Sequence, residues 1–226
     1  KKKAIRIDKG QLLITSNTPL KNAELVGFDI KGRQIIDDAI DLAGRQGEVI
    51  IQFEPLNPET VRRMELKVFD QVGRWASFRL VAWYVEIPHD DVIFETNKAA
   101  IEPGERQKLD VVVKQVKSEV AAFRKELGRT DVGFDLKLFV AGCTDTVGSS
   151  ADNLRLSRKR AHSIAQYFRK KGIKSPIFYE GYGETILAVP TKDNVAEAKN
   201  RRAVYILTNT RPSGLDRAGR TWKVLP

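Results

Sequence analysis

The sequence predicts an α+β protein: a small β-sandwich-like domain over residues 1–88, then a βαβαββ domain over 91–210 whose helices pack on a mixed sheet. Three observations carry this. Short β-branched and aromatic runs, separated by turn residues, fill the first third of the chain. Two long stretches with apolar residues at helical spacing occur only beyond residue 100. Strand-like runs alternate with those stretches, the order expected of a sheet covered by helices. Residues 211–226 follow as a C-terminal extension rich in Gly, Pro and charge.

In the first domain, Leu12-Leu13-Ile14-Thr15 precedes the turn-rich Ser16-Asn17-Thr18-Pro19. Val49-Ile50-Ile51-Gln52-Phe53 runs into Pro55 and Pro58, and Met64 to Phe69 alternates apolar and polar residues before a Val72-Gly73 turn. Phe78 to Val85 is a further strand-like run, while Asp37 to Leu42 reads as a helical turn. No catalytic or ligand-binding constellation is found here. Trp75 and Trp83, like Trp222 in the tail, are expected to pack cores or interfaces.

The boundary is expected near Pro88-His89-Asp90. Val92-Ile93-Phe94 reads as a short strand, and Pro103 sits where a first-turn proline belongs. Leu109, Val112, Val113, Val116, Val120, Phe123 and Leu127 then recur at helical spacing, with Gly128 at the stop. Phe134, Leu136, Leu138 and Val140 alternate as a strand. A second helix is expected from about Ala151 to Lys171, ending at Gly172. Two more strands follow at Ile177-Phe178-Tyr179 and at Ala203 to Leu207.

Composition narrows the function classes. With 226 residues, 42% of them hydrophobic and 30% charged, the chain suits folded domains rather than disorder. No apolar stretch approaches the roughly 18 residues needed to span a bilayer. The chain opens on Lys1-Lys2-Lys3 without a Met, which reads as a mature or trimmed fragment whose signal or membrane anchor would lie outside it. The single cysteine, Cys143, allows no internal disulfide, and with only His89 and His162 beside it no metal or other cofactor is expected. The Asp37-Asp38-Asp41 and Asp90-Asp91 groups lack the spacing of a calcium loop.

The net charge of +10 is unevenly spread: residues 1–90 carry 14 basic and 13 acidic groups, residues 91–226 carry 25 and 16. A basic second half fits an anionic partner or a solvated helix face. Nucleic-acid binding by the basic helix at 154–174 is the remote alternative. No helix-turn-helix, zinc-finger or aromatic RNA-binding motif accompanies those cations, so no nucleic acid is expected as partner.

The informative stretch joins the second strand of this half to its second helix, residues 142–161. Asp145 falls in the loop beyond a strand ending at Gly142. Gly148 permits a tight turn, and Ser149 or Ser150 can cap the incoming helix. On that helix Asn153, Leu156, Arg160 and Ile164 share one stripe, which brings an amide and a guanidinium to the side of the Asp145 loop. Such an arrangement suits a zwitterion, with Asp145 taking an ammonium and Arg160 gripping a carboxylate. It equally suits an internal salt bridge between the two.

These residues resemble a known family. Gly142, Thr144, Asp145, Gly148, Ser149, Asn153, Leu156, Ser157, Arg160 and Ala161 follow the pattern strand-G-H-T-D, G-S, N-x-x-L-S-x-x-R-A of the OmpA-like peptidoglycan-binding domain. That domain occurs in outer-membrane protein A, the Pal lipoprotein and flagellar stator proteins. Phe94-Glu95-Thr96-Asn97 with Ile101 and Pro103, then Gly172-Ile173, Gly181-Tyr182-Gly183-Glu184 and Asn200-Arg201-Arg202 match further family features in order, over about residues 91–210.

The resemblance implies non-covalent binding of the diaminopimelate residue of the peptidoglycan stem peptide, and no enzymatic activity. Asp145 would engage the ammonium and Arg160 the carboxylate. Asn153 and Arg201 would support the ligand, Thr96 and Asn97 would close the pocket, and Leu156 would line it; Arg202 reads as structural. Cys143 replaces the family's histidine and is expected to pack, Asp152 replaces a common aromatic residue, and the segment between Glu184 and Asn200 is rearranged, with its proline at Pro190. The implied location is a Gram-negative periplasm, attached to outer membrane and wall. A lipid or membrane segment outside this sequence would complete a tether; the alternative is a module of a larger envelope machine, such as a motor or secretion complex, in which residues 1–88 dock a protein partner. A Cys143–His162 nucleophilic dyad is the enzymatic alternative, against which stands a small buried cysteine beside an exposed helix histidine.

Overall fold

The computed structural model describes residues 5–57, 60–95, 97–127, 136–209, 211–212, 215 and 221–226. It divides into two compact units that meet in sequence between Trp83 and Tyr84.

Among the described residues, the first unit is built from β1 (Ile5–Arg6), β2 (Gln11–Ser16), β3 (Leu20–Asp29), β4 (Gln34–Asp41), β5 (Gly47–Gln52), β6 (Val61–Asp70) and β7 (Trp75–Val81). They form two antiparallel sheets, ordered β1-β2-β5 and β4-β3-β6-β7. Alternation along β3 and β6 sends Ala23, Leu25, Met64, Leu66 and Val68 inward, where they meet Leu12, Val49 and Ile51 of the other sheet in one buried cluster. Two sheets sharing a core are compatible with the sandwich-like reading.

The helical turn expected over 37–42 is instead part of β4. Ile36 and Ile40 are four apart, a spacing that fits a helical stripe and strand alternation alike. Pairing with β3, from Asn22 opposite Asp41 to Phe28 opposite Gln34, decides for the strand.

That sheet is a duplicated hairpin, which the strand-by-strand reading of the sequence does not bring out. The β3–β4 loop reads Phe28-Asp29-Ile30-Lys31-Gly32-Arg33 and the β6–β7 loop Phe69-Asp70-Gln71-Val72-Gly73-Arg74. Asp29 accepts from the backbone N–H groups of Lys31 (2.8 Å) and Arg33 (2.9 Å) and from Arg33 Nε (2.7 Å). Asp70 repeats this with Val72 (3.0 Å), Arg74 (2.9 Å) and Arg74 Nε (2.8 Å). Gly32 and Gly73 both take the left-handed backbone that closes the turn (φ 78° and 85°). Leu25 lies opposite Leu66 at the centre of the β3–β6 pairing, so a pseudo-two-fold axis there exchanges the hairpins and their outer strands, β4 and β7.

The second unit contains β8 (Tyr84–Glu86), α1 (Arg106–Leu127), β9 (Lys137–Cys143), α2 (Ser150–Lys170), β10 (Ile177–Gly183), β11 (Ala203–Thr208) and β12 (Lys223–Val224). The sheet order is β12-β10-β9-β11-β8, with β9 and β10 parallel and the other neighbours antiparallel. This is the mixed α+β arrangement expected, with different end strands. Its first strand is β8, which the sequence pattern assigns to the preceding domain; β8 pairs with β11, and the Ile87 N–H continues the ladder to Tyr205 O at 2.8 Å. Val92-Ile93-Phe94 is not a strand. Its backbone is held by a side chain instead, with Ile93 N–H donating to Glu105 Oε2 at 2.8 Å. The C-terminal extension contributes β12 and buries Trp222 and Leu225. Gly128 and Phe134 lie outside the described residues.

Glycines let α2 lie close on the sheet. A Cβ on Gly142 would sit 2.4 Å from Ser157 O, and one on Gly181 would sit 2.3 Å from the Arg158 nitrogen. Phe139, Ala141 and Cys143 alternate with these positions and pack on the opposite face with Tyr182, Ile206 and Trp222. No helix among the described residues is long and apolar enough to cross a membrane.

Candidate functional site

The site grows from the β9–α2 loop. The Cys143 N–H donates to Arg202 O (2.9 Å) and the Thr144 N–H to Gly183 O (2.8 Å), fixing the loop between the ends of β10 and β11. Gly148 (φ 91°) turns the chain, and Ser149 caps α2 by accepting from the Asp152 N–H at 3.1 Å. Thr146 Oγ1 donates to Lys192 O (2.7 Å) and accepts from the Val195 N–H (3.0 Å), clamping the 191–195 segment onto the loop.

Asp145 is buried, and its Oδ2 accepts from Arg201 Nη1 at 2.7 Å. Its ion-pair partner is therefore Arg201, and not Arg160 as the salt-bridge alternative has it. Arg160 is turned to Phe94, Glu95 and Lys98. Its Nε donates to Lys98 O (3.0 Å) and its Nη2 to Glu95 O (3.3 Å), with the guanidinium 5.0 Å from the centre of the Phe94 ring. Burial pulls the Arg160 guanidinium below its ordinary value; the Asp145 charge opposes that shift and the Arg201 charge adds to it. The two arginines thus stand within electrostatic reach of one carboxylate, a local excess of positive charge.

Asn153 is buried, and its side-chain amide donates to Val147 O (3.1 Å), Asp145 O (3.3 Å) and Glu184 Oε2 (2.7 Å). Ser150 also hydrogen-bonds Glu184. Asn153 thereby spends its donors on shaping the loop. Leu156 is half-buried on α2 and Asn97 exposed at φ 57°. Thr96 lies outside the described residues.

Beside these groups opens a cleft of about 390 Å³, whose lining includes Phe94, Gly142, Arg160, Lys199, Arg201 and Arg202. That volume is in the range that takes a small ligand. Asp145, Asn153, Leu156 and Asn97 are not part of the lining, so the structure brings Arg160 and Arg201 directly to the cleft, with Asp145 bonded to Arg201 and outside the lining. Phe94 and Lys199 are cleft residues that sequence reasoning does not single out. The signal for Lys199 is its place two residues before Arg201 in a cationic run. Arg202 lines the cleft and also donates from Nη2 to Ile186 O at 3.1 Å.

Cys143 is buried, and burial pushes its thiol up to about 11. His162 packs on the Tyr179 ring, with centroids 4.7 Å apart. Several cations of 154–174 are held within the protein: Arg155 by Asp152 (2.6 Å), Arg158 by buried Glu180 (2.6 Å), Lys171 by Asp110 (2.8 Å) and Arg169 by Ile173 O (2.7 Å).

Comparison with known proteins finds likeness in this half. Residues 93–201 match the model of the OmpA family. Outer membrane protein A of Bordetella avium is 31% identical over 123 residues, covering 54% of this chain and 56% of the relative. Outer membrane protein P5 of Haemophilus influenzae is 37% identical over 100 residues, covering 42% of this chain and 23% of the relative. The chain thus spans little more than half the length of the first and under a quarter of the second. Among solved structures, the peptidoglycan-associated lipoprotein of Burkholderia pseudomallei matches with a TM-score of 0.39 and 20% identity, over 52% of this chain and 88% of that one. The periplasmic domain of Helicobacter pylori MotB matches with 0.39 and 16%, over 61% and 89%.

Proposed function

We propose, with the OmpA-family domain at residues 93–201 as the premise, that this protein holds peptidoglycan non-covalently and that its ligand is the diaminopimelate residue of the stem peptide. The observation that carries the reading is the charge arrangement at the cleft. Arg160 and Arg201 both line it, and Asp145 is paired with the second of them. The side chain of diaminopimelate ends in a carboxylate and an ammonium on one carbon. Its carboxylate would bridge the two guanidinium groups, that of Arg160 and that of Arg201. Its ammonium would be attracted by the charge of Asp145, which pairs with Arg201 and is not among the lining residues. Asn153, by fixing the Asp145 and Val147 carbonyls, preorganises the loop rather than touching the ligand.

No catalysis is assigned. A thiol pushed to about 11 in the core carries little nucleophilic thiolate at neutral pH, and the histidine near it in sequence is engaged with Tyr179. Relatives named as outer membrane proteins support a location in the envelope, with peptidoglycan met in the periplasm. Nucleic acid is a poor fit to cations already spent on Asp152, Glu180 and Asp110.

The test is co-sedimentation with purified diaminopimelate-type peptidoglycan, comparing wild type with Asp145→Ala and Arg160→Ala. Both variants are expected in the supernatant while the wild type pellets. Wild-type pelleting by both variants would overturn the site assignment.

A further inference from the structure

The β4-β3-β6-β7 sheet ends in two strands that the hairpin duplication makes geometrically equivalent and that differ in chemistry. β4 carries Asp37, Asp38 and Asp41, while β7 carries Trp75, Phe78 and Arg79, with Arg74 just before it. Both are outermost in the sheet. On β7 every residue from Trp75 to Arg79 is exposed, including Trp75 at 61% and Phe78 at 49%. An outer strand that presents uncovered aromatic residues along its length is a template for another strand. β4 is instead guarded by carboxylates.

We infer that β7 of one molecule pairs with β4 of a second copy, so that the four-stranded sheet continues from one chain into the next. The register follows from rows already in the sheet. Asp37 lies opposite Val26, Val26 opposite Glu65, and Glu65 opposite Arg79. A copy displaced sideways along this row, without rotation, brings its Asp37 beside Arg79. The same displacement puts Ile36 beside Leu80, through the row Ile36–Gly27–Met64–Leu80, and Ile40 beside Ala76, through Ile40–Ala23–Val68–Ala76. Strand direction agrees, since three successive antiparallel pairings leave β7 antiparallel to the β4 that would follow it.

Charge selects this pairing over pairing of like edges. Two β4 strands would crowd the carboxylates of one copy against those of the other, whereas in the unlike pair Asp37 meets Arg79, Asp38 falls beside Phe78 and Asp41 beside Trp75. Arg79 shares its guanidinium with Glu65 at 3.0 Å and remains half exposed, so it is accessible to a second carboxylate. Joining unlike edges is a head-to-tail contact that can propagate, which for a wall-attached protein would build a row of binding units. This edge pairing belongs to the first unit and is independent of peptidoglycan binding by the second.

The experiment is sedimentation velocity on the full chain over a wide concentration range at low and high salt, with charge reversals at the two edges. Wild type is expected to sediment faster as concentration rises, less so at high salt. Arg79→Glu alone and Asp37→Arg alone should each weaken association by about tenfold or more. An equimolar mixture of the two variants should regain it, because the carboxylate introduced on β7 of one then meets the guanidinium introduced on β4 of the other. That rescue cannot come from misfolded variants. A wild type that stays a single slow species throughout overturns the inference, as does association that either reversal leaves unchanged or that mixing fails to restore. Capture of an acidic strand from another protein by β7, with no self-association, would overturn it too.

Discussion

Arg201 Nη1 donates to Asp145 Oδ2 at 2.7 Å, while Arg160 Nε donates at 3.0 Å to a different acceptor, the Lys98 carbonyl. The two arginines therefore do different work. Arg201 holds the carboxylate, and Arg160 holds the Glu95 and Lys98 carbonyls.

Removing Arg201 leaves the buried Asp145 carboxylate without its cation. Arg201→Ala should lower stability by about 1–2 kcal/mol, less than for a fully buried pair because Arg201 is nearly half exposed. It should also reduce peptidoglycan retention. Urea unfolding and co-sedimentation on the same preparation check both effects. Arg160→Ala should lose retention with a smaller change in stability, since its bonds are to exposed loop carbonyls.

Asn153→Ala removes three donor contacts at once and strands the Asp145 and Val147 carbonyls. The expected cost is about 1–3 kcal/mol, read as a lower urea midpoint. Asn153→Asp should fare worse, because a carboxylate there faces two carbonyl oxygens and Glu184.

The paired hairpin loops predict acid lability in the first unit. Burial raises the Asp29 and Asp70 carboxyls, but hydrogen bonds from the Arg33 and Arg74 backbone and side chains outweigh it and hold both below the ordinary value. In the unfolded chain they ionise at about 3.9. Their contribution is thus complete above that pH and is lost as pH falls through the lower folded values. Unfolding followed at Trp75 and Trp83 as the pH is lowered from neutrality should show stability falling below about pH 4. The Asp29→Asn, Asp70→Asn double variant should start less stable and show a flatter acid limb.

Gly181→Ala would drive a Cβ to 2.3 Å from the Arg158 backbone, which nothing flexible can relieve. A loss of about 3 kcal/mol or more is expected, at the upper end for overpacking. Because α2 carries Arg160, peptidoglycan retention should fall with it. Cys143, with its thiol at about 11, should resist iodoacetamide under mildly alkaline conditions in the native protein and react fully in urea; rapid native alkylation would contradict its burial.

Local periodicity makes some of this legible and not the rest. The apolar stripe from Leu109 to Phe123 announces α1, and the turn chemistry of Gly148 and Ser149 announces the start of α2, because each depends on neighbours in sequence. Which sheet a strand joins depends on distant partners. Tyr84–Glu86 therefore reads as a continuation of β7 although it pairs with β11, and Lys223–Val224 is too short to carry a period. The repeated Phe-Asp-x-x-Gly-Arg is open to inspection, and its meaning as a two-fold hairpin rests on the Leu25–Leu66 register. At the site, helical spacing brings Asn153 to the Asp145 loop, while Arg160 on the same stripe reaches the Glu95 and Lys98 carbonyls. That Arg201 takes the carboxylate follows from the approach of β11 to β9, which no spacing within 142–161 contains.

The central claim is that the cleft reads the diaminopimelate side chain. Calorimetric titration with a soluble stem tripeptide carrying diaminopimelate, against the same tripeptide carrying lysine, tests it most directly. The lysine form lacks only the side-chain carboxylate proposed for Arg160 and Arg201. Binding of the diaminopimelate peptide at least about tenfold tighter, a difference of about 1.4 kcal/mol, is the expected result. Equal affinity for the two peptides, or binding of neither, would contradict it.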